Sequence, residues 1–117
     1  MHIKNGFPLI LLVAFAATLA LGGAGADEKI SGILMDKACA VDMKMDAKGH
    51  DKDCAQMPDC VKSGYGVVTS DGKFLPFDAK GNQQATAWLK ATKLKTNLKI
   101  TVTGTVDKGV LKVTTLQ

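Results

Sequence analysis

The chain has no arginine: all 15 of its basic residues are lysines. Proteins that read nucleic acid rely on arginine for paired contacts to bases, and single-strand binders add aromatic rings for stacking. Aromatics are scarce as well, with one Trp, one Tyr and four Phe in 117 residues. A nucleic-acid partner is therefore not expected, and the lysines read as a solvated surface. Internal repeats and low-complexity tracts are absent after residue 26. So are nucleotide-binding glycine loops, nucleophile elbows, zinc-protease motifs and haem-attachment motifs. Ser63-Gly64-Tyr65-Gly66 is glycine-rich but lacks the rest of a phosphate loop. Cysteines number only three, an odd count that disulfides within one chain cannot exhaust.

The N-terminus carries the pattern of a removable address. Met1-His2-Ile3-Lys4 is a basic head, Phe7 to Leu21 is almost wholly apolar, and Ala24-x-Ala26 fits a signal-peptidase site. The apolar core of 15 residues falls short of the about 20 needed to span a bilayer, so cleavage near Ala26 is expected rather than anchoring. No cysteine lies near the cut to carry a lipid. Residues 1–26 are thus expected to be a signal peptide. Residues 27–117 then form one small domain, secreted or periplasmic, with no membrane span after cleavage. Fourteen lysines against 11 acids leave that domain at +3. Ninety-one residues bury only a modest core, and a metal or a disulfide would help to hold it.

The pattern predicts strand, helical window, hairpin, helix, hairpin. Lys29 to Met35 reads as a first strand, with Ile30 and Leu34 on one face and Ile33 and Met35 on the other. Residues 37–63 lack β alternation and read as short helical turns, with Pro58 suited to a first helical turn and Gly64 to its stop. Tyr65 to Thr69 and Lys73 to Phe77 flank the turn Ser70-Asp71-Gly72. Asn82 is expected to cap a helix that buries Ala85, Trp88, Leu89 and Thr92, with Trp88 as its core anchor. Leu98 to Asp107 alternates most cleanly, and Val110 to Leu116 returns after Asp107-Lys108-Gly109. Gly104 in mid-strand predicts a bulge or a corner. Three strands, a helix and two strands is the order of an OB-like five-stranded barrel, so the expected fold is mainly β with one helix and a long, partly helical loop at about 37–64.

That loop holds every cysteine and the one histidine beyond the N-terminal segment: Cys39, His50, Cys54 and Cys60. Three thiolates and one imidazole make a tetrahedral set for zinc, and copper(I) competes because it favours soft sulfur. His50 and Cys54, four residues apart, are expected to share one helix face. Met35, Met43, Met45 and Met57 lie in or beside the window and read first as flexible filler. In an oxidising compartment the rival is a disulfide, Cys54 with Cys60 or Cys39 with one of them, worth roughly 2–4 kcal/mol. A reactive thiol would need an orienting acid, for which Asp46 is the candidate. Asp51, Asp53 and Asp59 also crowd the window, and negative charge dulls a thiol by raising its pKa. These acids, with Asp36 and Asp42, read otherwise as solvated loop charge.

Gly32-Ile33-Leu34-Met35-Asp36-Lys37-Ala38-Cys39, His50-x-x-x-Cys54, Met57-Pro58-Asp59-Cys60 and Ser63-Gly64-Tyr65-Gly66-Val67 resemble segments of a group of small secreted bacterial proteins of unknown function. Asp71-Gly72-Lys73-Phe74 and the stretch from Val102-Thr103-Gly104-Thr105-Val106 to Thr115 are similar to the same group. The resemblance covers nearly all of residues 27–117. It implies an OB-like fold with the same cysteine and histidine positions, and it leaves the function open because the group has no established activity. The chain is therefore expected to be a non-enzymatic, monomeric protein that binds zinc or copper through Cys39, His50, Cys54 and Cys60, with an envelope or extracellular partner. The alternative is a disulfide-stabilised binding module without metal.

Overall fold

The computed structural model of the chain describes residues 27–41 and 46–117. The expected signal segment, and Asp42, Met43 and Met45, lie outside the described residues. Five strands build one antiparallel sheet: β1 (Glu28–Asp36), β2 (Tyr65–Val68), β3 (Phe74–Pro76), β4 (Lys99–Asp107) and β5 (Val110–Leu116), in the spatial order β3-β2-β1-β4-β5. Four helices accompany it: α1 (Lys37–Val41), α2 (Lys52–Ala55) and α3 (Pro58–Ser63) between β1 and β2, and α4 (Ala79–Ala91) between β3 and β4. A single 3-10 turn, Ala47–Gly49, precedes α2. No helix among the described residues is long and apolar enough to cross a membrane.

The central strand changes partners along its length. Glu28 to Ile33 pair with β4, and Ile33 to Asp36 pair with β2. Its last residues are buried on both faces, because alternation sends successive side chains to opposite sides. Leu34 joins the main core with Tyr65, Val67, Leu89, Leu98, Ile100, Val102, Leu111 and Val113. Met35 points the other way, into a smaller cluster with Ala40 and Val68 against which Cys39, Ala47 and Phe74 pack. One face of the sheet is therefore covered by α4, while the far end of the other is covered by α1. Met35 is core filler, as expected for a flexible side chain in an irregular gap, and Met57 is 54% exposed.

The β4–β5 hairpin follows its pattern closely. Ile100, Val102 and Gly104 are buried while Lys99 is exposed and Thr101, Thr103 and Thr105 are half-buried. The register shifts between Thr103 and Gly104, the bulge that Gly104 predicts. A Cβ at Gly104 would stand 2.1 Å from the Lys112 carbonyl oxygen, so only glycine admits the neighbouring strand there. Lys108 and Gly109 both take positive φ, 53° and 81°, the two-residue turn whose twist suits a hairpin.

Three expectations need correction. The sheet is not closed into a barrel: the chain just past the outer strand β3 meets β5 through one isolated parallel bridge, Phe77 with Leu111, and one bond from the Asp78 N–H to the Leu111 carbonyl at 3.1 Å. Asp78, not Asn82, caps α4, its carboxylate accepting from the Gly81 N–H at 3.0 Å. Asn82 lies inside the first turn, where its Oδ1 accepts from the Tyr65 N–H at 2.8 Å. A carboxylate also suits the positive end of the helix better than an amide does. The core anchor of α4 is the small-to-medium stripe Gly81, Ala85 and Leu89, all buried. Trp88 packs only partly against the core, because a close helix–sheet approach leaves no room for a ring on that stripe.

Candidate metal centre

The site begins where β1 ends. Asp36 is wholly buried, one residue before α1, and its Oδ2 accepts the Cys39 N–H at 2.9 Å. A short acceptor just before a helix satisfies N–H groups that the first turn leaves unpaired. Its two neighbours are satisfied from α3: the Lys37 N–H donates to the Gly64 carbonyl at 2.8 Å, and the Ala38 N–H to Ser63 Oγ at 3.1 Å. These bonds hold the five-residue helix α1, too short to persist alone, against the end of α3. Pro58 opens α3 and Gly64, at φ 86°, closes it, as the sequence predicts. Cys39 and Cys60 are carried on these two helices.

His50 and Cys54 do not share a helix face. The chain is extended at His50, Asp51 caps α2 by accepting the Asp53 N–H at 2.7 Å, and the helix starts at Lys52. The Asp51 cap overrides the four-residue periodicity, because a side chain that bonds its own backbone two residues on favours the non-helical turn. Distant backbone bonds fix the segment instead. The Asn97 N–H donates to the Lys48 carbonyl at 2.7 Å, and the Lys52 N–H to the Lys95 carbonyl at 2.8 Å. The end of α2 is tied to the core by the Tyr65 hydroxyl, which donates to the Ala55 carbonyl at 2.7 Å.

These constraints bring the expected residues together in two overlapping groups. One donor atom each from Cys39, His50 and Cys54 lies within 4.8 Å of the others. Donor atoms of Asp36, Cys39 and Cys60 converge in the same way. Cys39 belongs to both, so all four predicted residues surround one small region, with Cys60 entering through Cys39 rather than through His50. His50 is 2% exposed, Cys60 is buried, and Cys39 and Cys54 are half-buried. All three cysteines are free thiols, so none of the disulfide pairings is present.

Asp36 takes the part expected of Asp46. Its Oδ1 lies 2.8 Å from His50 Nε2, both groups being buried. Asp46 is exposed and caps the 3-10 turn, accepting the Lys48 N–H at 3.1 Å. Asp51, Asp53 and Asp59 are exposed, whereas Asp36 is buried. A signal for it was available: an aspartate at the strand–helix junction three residues before Cys39 has the spacing of a cap.

The buried carboxylate shapes the site's electrostatics. Burial pushes the Asp36 pKa up, yet hydrogen bonds from the Cys39 backbone and from the thiols of Cys39 and Cys60, with the charge of His50, hold it below the ordinary 3.8. The thiols move the other way. Burial first, then Asp36, pushes Cys39 up to about 12 and Cys60 up to about 11. Burial and the same carboxylate push Tyr65 up to about 12. A protonated thiol is a poor nucleophile, so these two are quiet while no cation is near. Loading a metal requires them to lose protons, which couples binding to pH.

A groove of about 610 Å³ opens elsewhere on the sheet. It is lined by Ile33, Val68, Ile100, Lys48, Lys99 and Thr101 among others, and holds none of the cysteines or His50. The class of molecule that the fold and site define is thus a small, mainly β protein with a Cys/His cluster able to hold a metal ion. No protein-family model, curated protein or solved structure matches the chain.

Proposed function

We propose that this is a small extracytoplasmic protein that binds one zinc ion through Cys39, His50 and Cys54, with Cys60 as the fourth donor. The single observation that carries the reading is the convergence of the first three donor atoms within 4.8 Å. Two thiolates and an imidazole suit a borderline-soft divalent ion, and a third thiolate closes a tetrahedral shell. Cys60 is the nearest further thiol, since its donor atom converges with those of Cys39 and Asp36. A closed shell offers no open position for substrate, so the role is structural or storage rather than catalytic. Copper(I) is the competing ion, through the same sulfurs.

The strand order, α4 between β3 and β4, and the Phe77–Leu111 bridge favour an OB-like arrangement. The resemblance to small secreted bacterial proteins fits export of the domain after cleavage near Ala26. Export would place free thiols in an oxidising compartment, where a bound ion protects them. The test is metal analysis of the natively purified chain combined with thiol counting. One ion per chain, with three thiols reacting only after chelation, is expected. A resistant disulfide without metal would overturn the proposal in favour of a disulfide-stabilised module.

A further inference from the structure

Resting on the metal-centre reading, we infer that His50 ligates through Nδ1 and that Asp36 is the positioning residue that holds the ring and Cys39 in place for it. The geometry leaves one nitrogen free. Nε2 lies 2.8 Å from Asp36 Oδ1, so its N–H donates to the carboxylate, and Nδ1 is the ring's remaining donor atom. A histidine whose second nitrogen gives its proton to a carboxylate is locked in tautomer and orientation and becomes a stronger ligand.

Asp36 itself serves better outside the shell. Both of its oxygens are already engaged, Oδ1 with the His50 ring and Oδ2 with the Cys39 N–H at 2.9 Å. Turning either oxygen onto a metal would strand a donor in a wholly buried position, which proteins rarely tolerate. One carboxylate thereby sets two of the three converged donors, and it does so from the end of the central strand, where Asp36 pairs with Tyr65 of β2. The centre is preorganised by the sheet, although its ligands sit on short helices and loops.

The test uses the chain with His2→Gln, so that His50 is the one imidazole, labelled with heavy nitrogen. In the metal-free protein the ring is expected to carry its proton on Nε2, and a proton on Nδ1 alone would overturn the inference. On loading with spin-active cadmium as a zinc substitute, the metal is expected to couple to Nδ1. Coupling to Nε2 would overturn this inference and leave the metal centre standing, whereas no uptake of zinc or cadmium would overturn both. Asp36→Asn is expected to weaken zinc binding by about 10- to 100-fold while the labelled ring loses its single tautomer. Unchanged affinity with an unchanged tautomer in that variant contradicts a positioning role.

Discussion

The β4–β5 hairpin and the segment from α1 to α3 reach order by opposite means. The hairpin is built from side-chain alternation, a bulge at Gly104 and a two-residue turn, all encoded within a few residues of where they act. The helical segment has helices of four to six residues and little apolar mass. It is held by single hydrogen bonds that come from far away in the chain: Gly64 and Ser63 to α1, Lys95 to Lys52, Tyr65 to Ala55. A region built that way can be shaped around a ligand set, because no continuous ladder dictates its path. It also has the low contact density that marks local opening, and a bound ion would supply the missing cohesion.

The comparison predicts that damage to the two regions reads out differently. Leu111→Ala, at a wholly buried position beside β4, should cost about 2–5 kcal/mol of stability. Its metal stoichiometry should stay unchanged where the variant remains folded. Denaturant unfolding with metal analysis checks both. Cys39→Ser should do the reverse, weakening zinc binding at least about 100-fold, or ~2.7 kcal/mol, with little effect on the stability of the metal-free protein. Competition against a chelator measures it, and a loss no greater than that of Met57→Ala would remove Cys39 from the centre.

Alkali should separate the regions next. In the metal-free protein, Cys39, Cys60 and Tyr65 bind their protons more tightly folded than unfolded. Their contribution is therefore complete below about 9, where the unfolded thiols titrate, and is lost as pH rises through about 11 to 12. Asp36 has the opposite sign: its depressed pKa gives stability that is present above the ordinary 3.8 and fades as pH falls below it. Unfolding midpoints in chelator across both ranges should drop at each end. Zinc should flatten the alkaline drop, because the bound thiols have already lost their protons. Cys60→Ser, which removes one of the raised thiols, should make the alkaline drop shallower.

The smallest effect concerns a cap. Asp78 accepts N–H groups from Gly81 at 3.0 Å and Val113 at 3.2 Å, so it joins α4 to β5. Asp78→Ala should cost about 1 kcal/mol, whereas Asn82→Ala should lose a bond to Tyr65 without shortening α4. Amide exchange along α4 distinguishes the two.

What could be read in the sequence divides along the same line. Alternation in β4, the bulge at Gly104, Pro58 and Gly64 at the ends of α3, and the crowding of Cys39, His50, Cys54 and Cys60 into one region were all legible, because each rests on local chemistry or on rare residues crowded together. Asp36 was not singled out, since its cap spacing before Cys39 marks a helix start but not burial, and five other aspartates crowd the same window. Its role depends on where β2 and the His50 segment come to lie. The shared helix face of His50 and Cys54 fails because Asp51 caps the turn between them. Trp88 yields to Leu89 because a helix facing a sheet selects side chains by the gap available, which single-chain periodicity does not report.

The central claim is the donor set, and X-ray absorption at the zinc edge reads it directly on the loaded, full-length chain. The account predicts a shell dominated by sulfur at about 2.3 Å with one nitrogen at about 2.0 Å, and loss of part of the sulfur signal in Cys54→Ser. A shell of oxygen and nitrogen alone, unchanged in that variant, would contradict it.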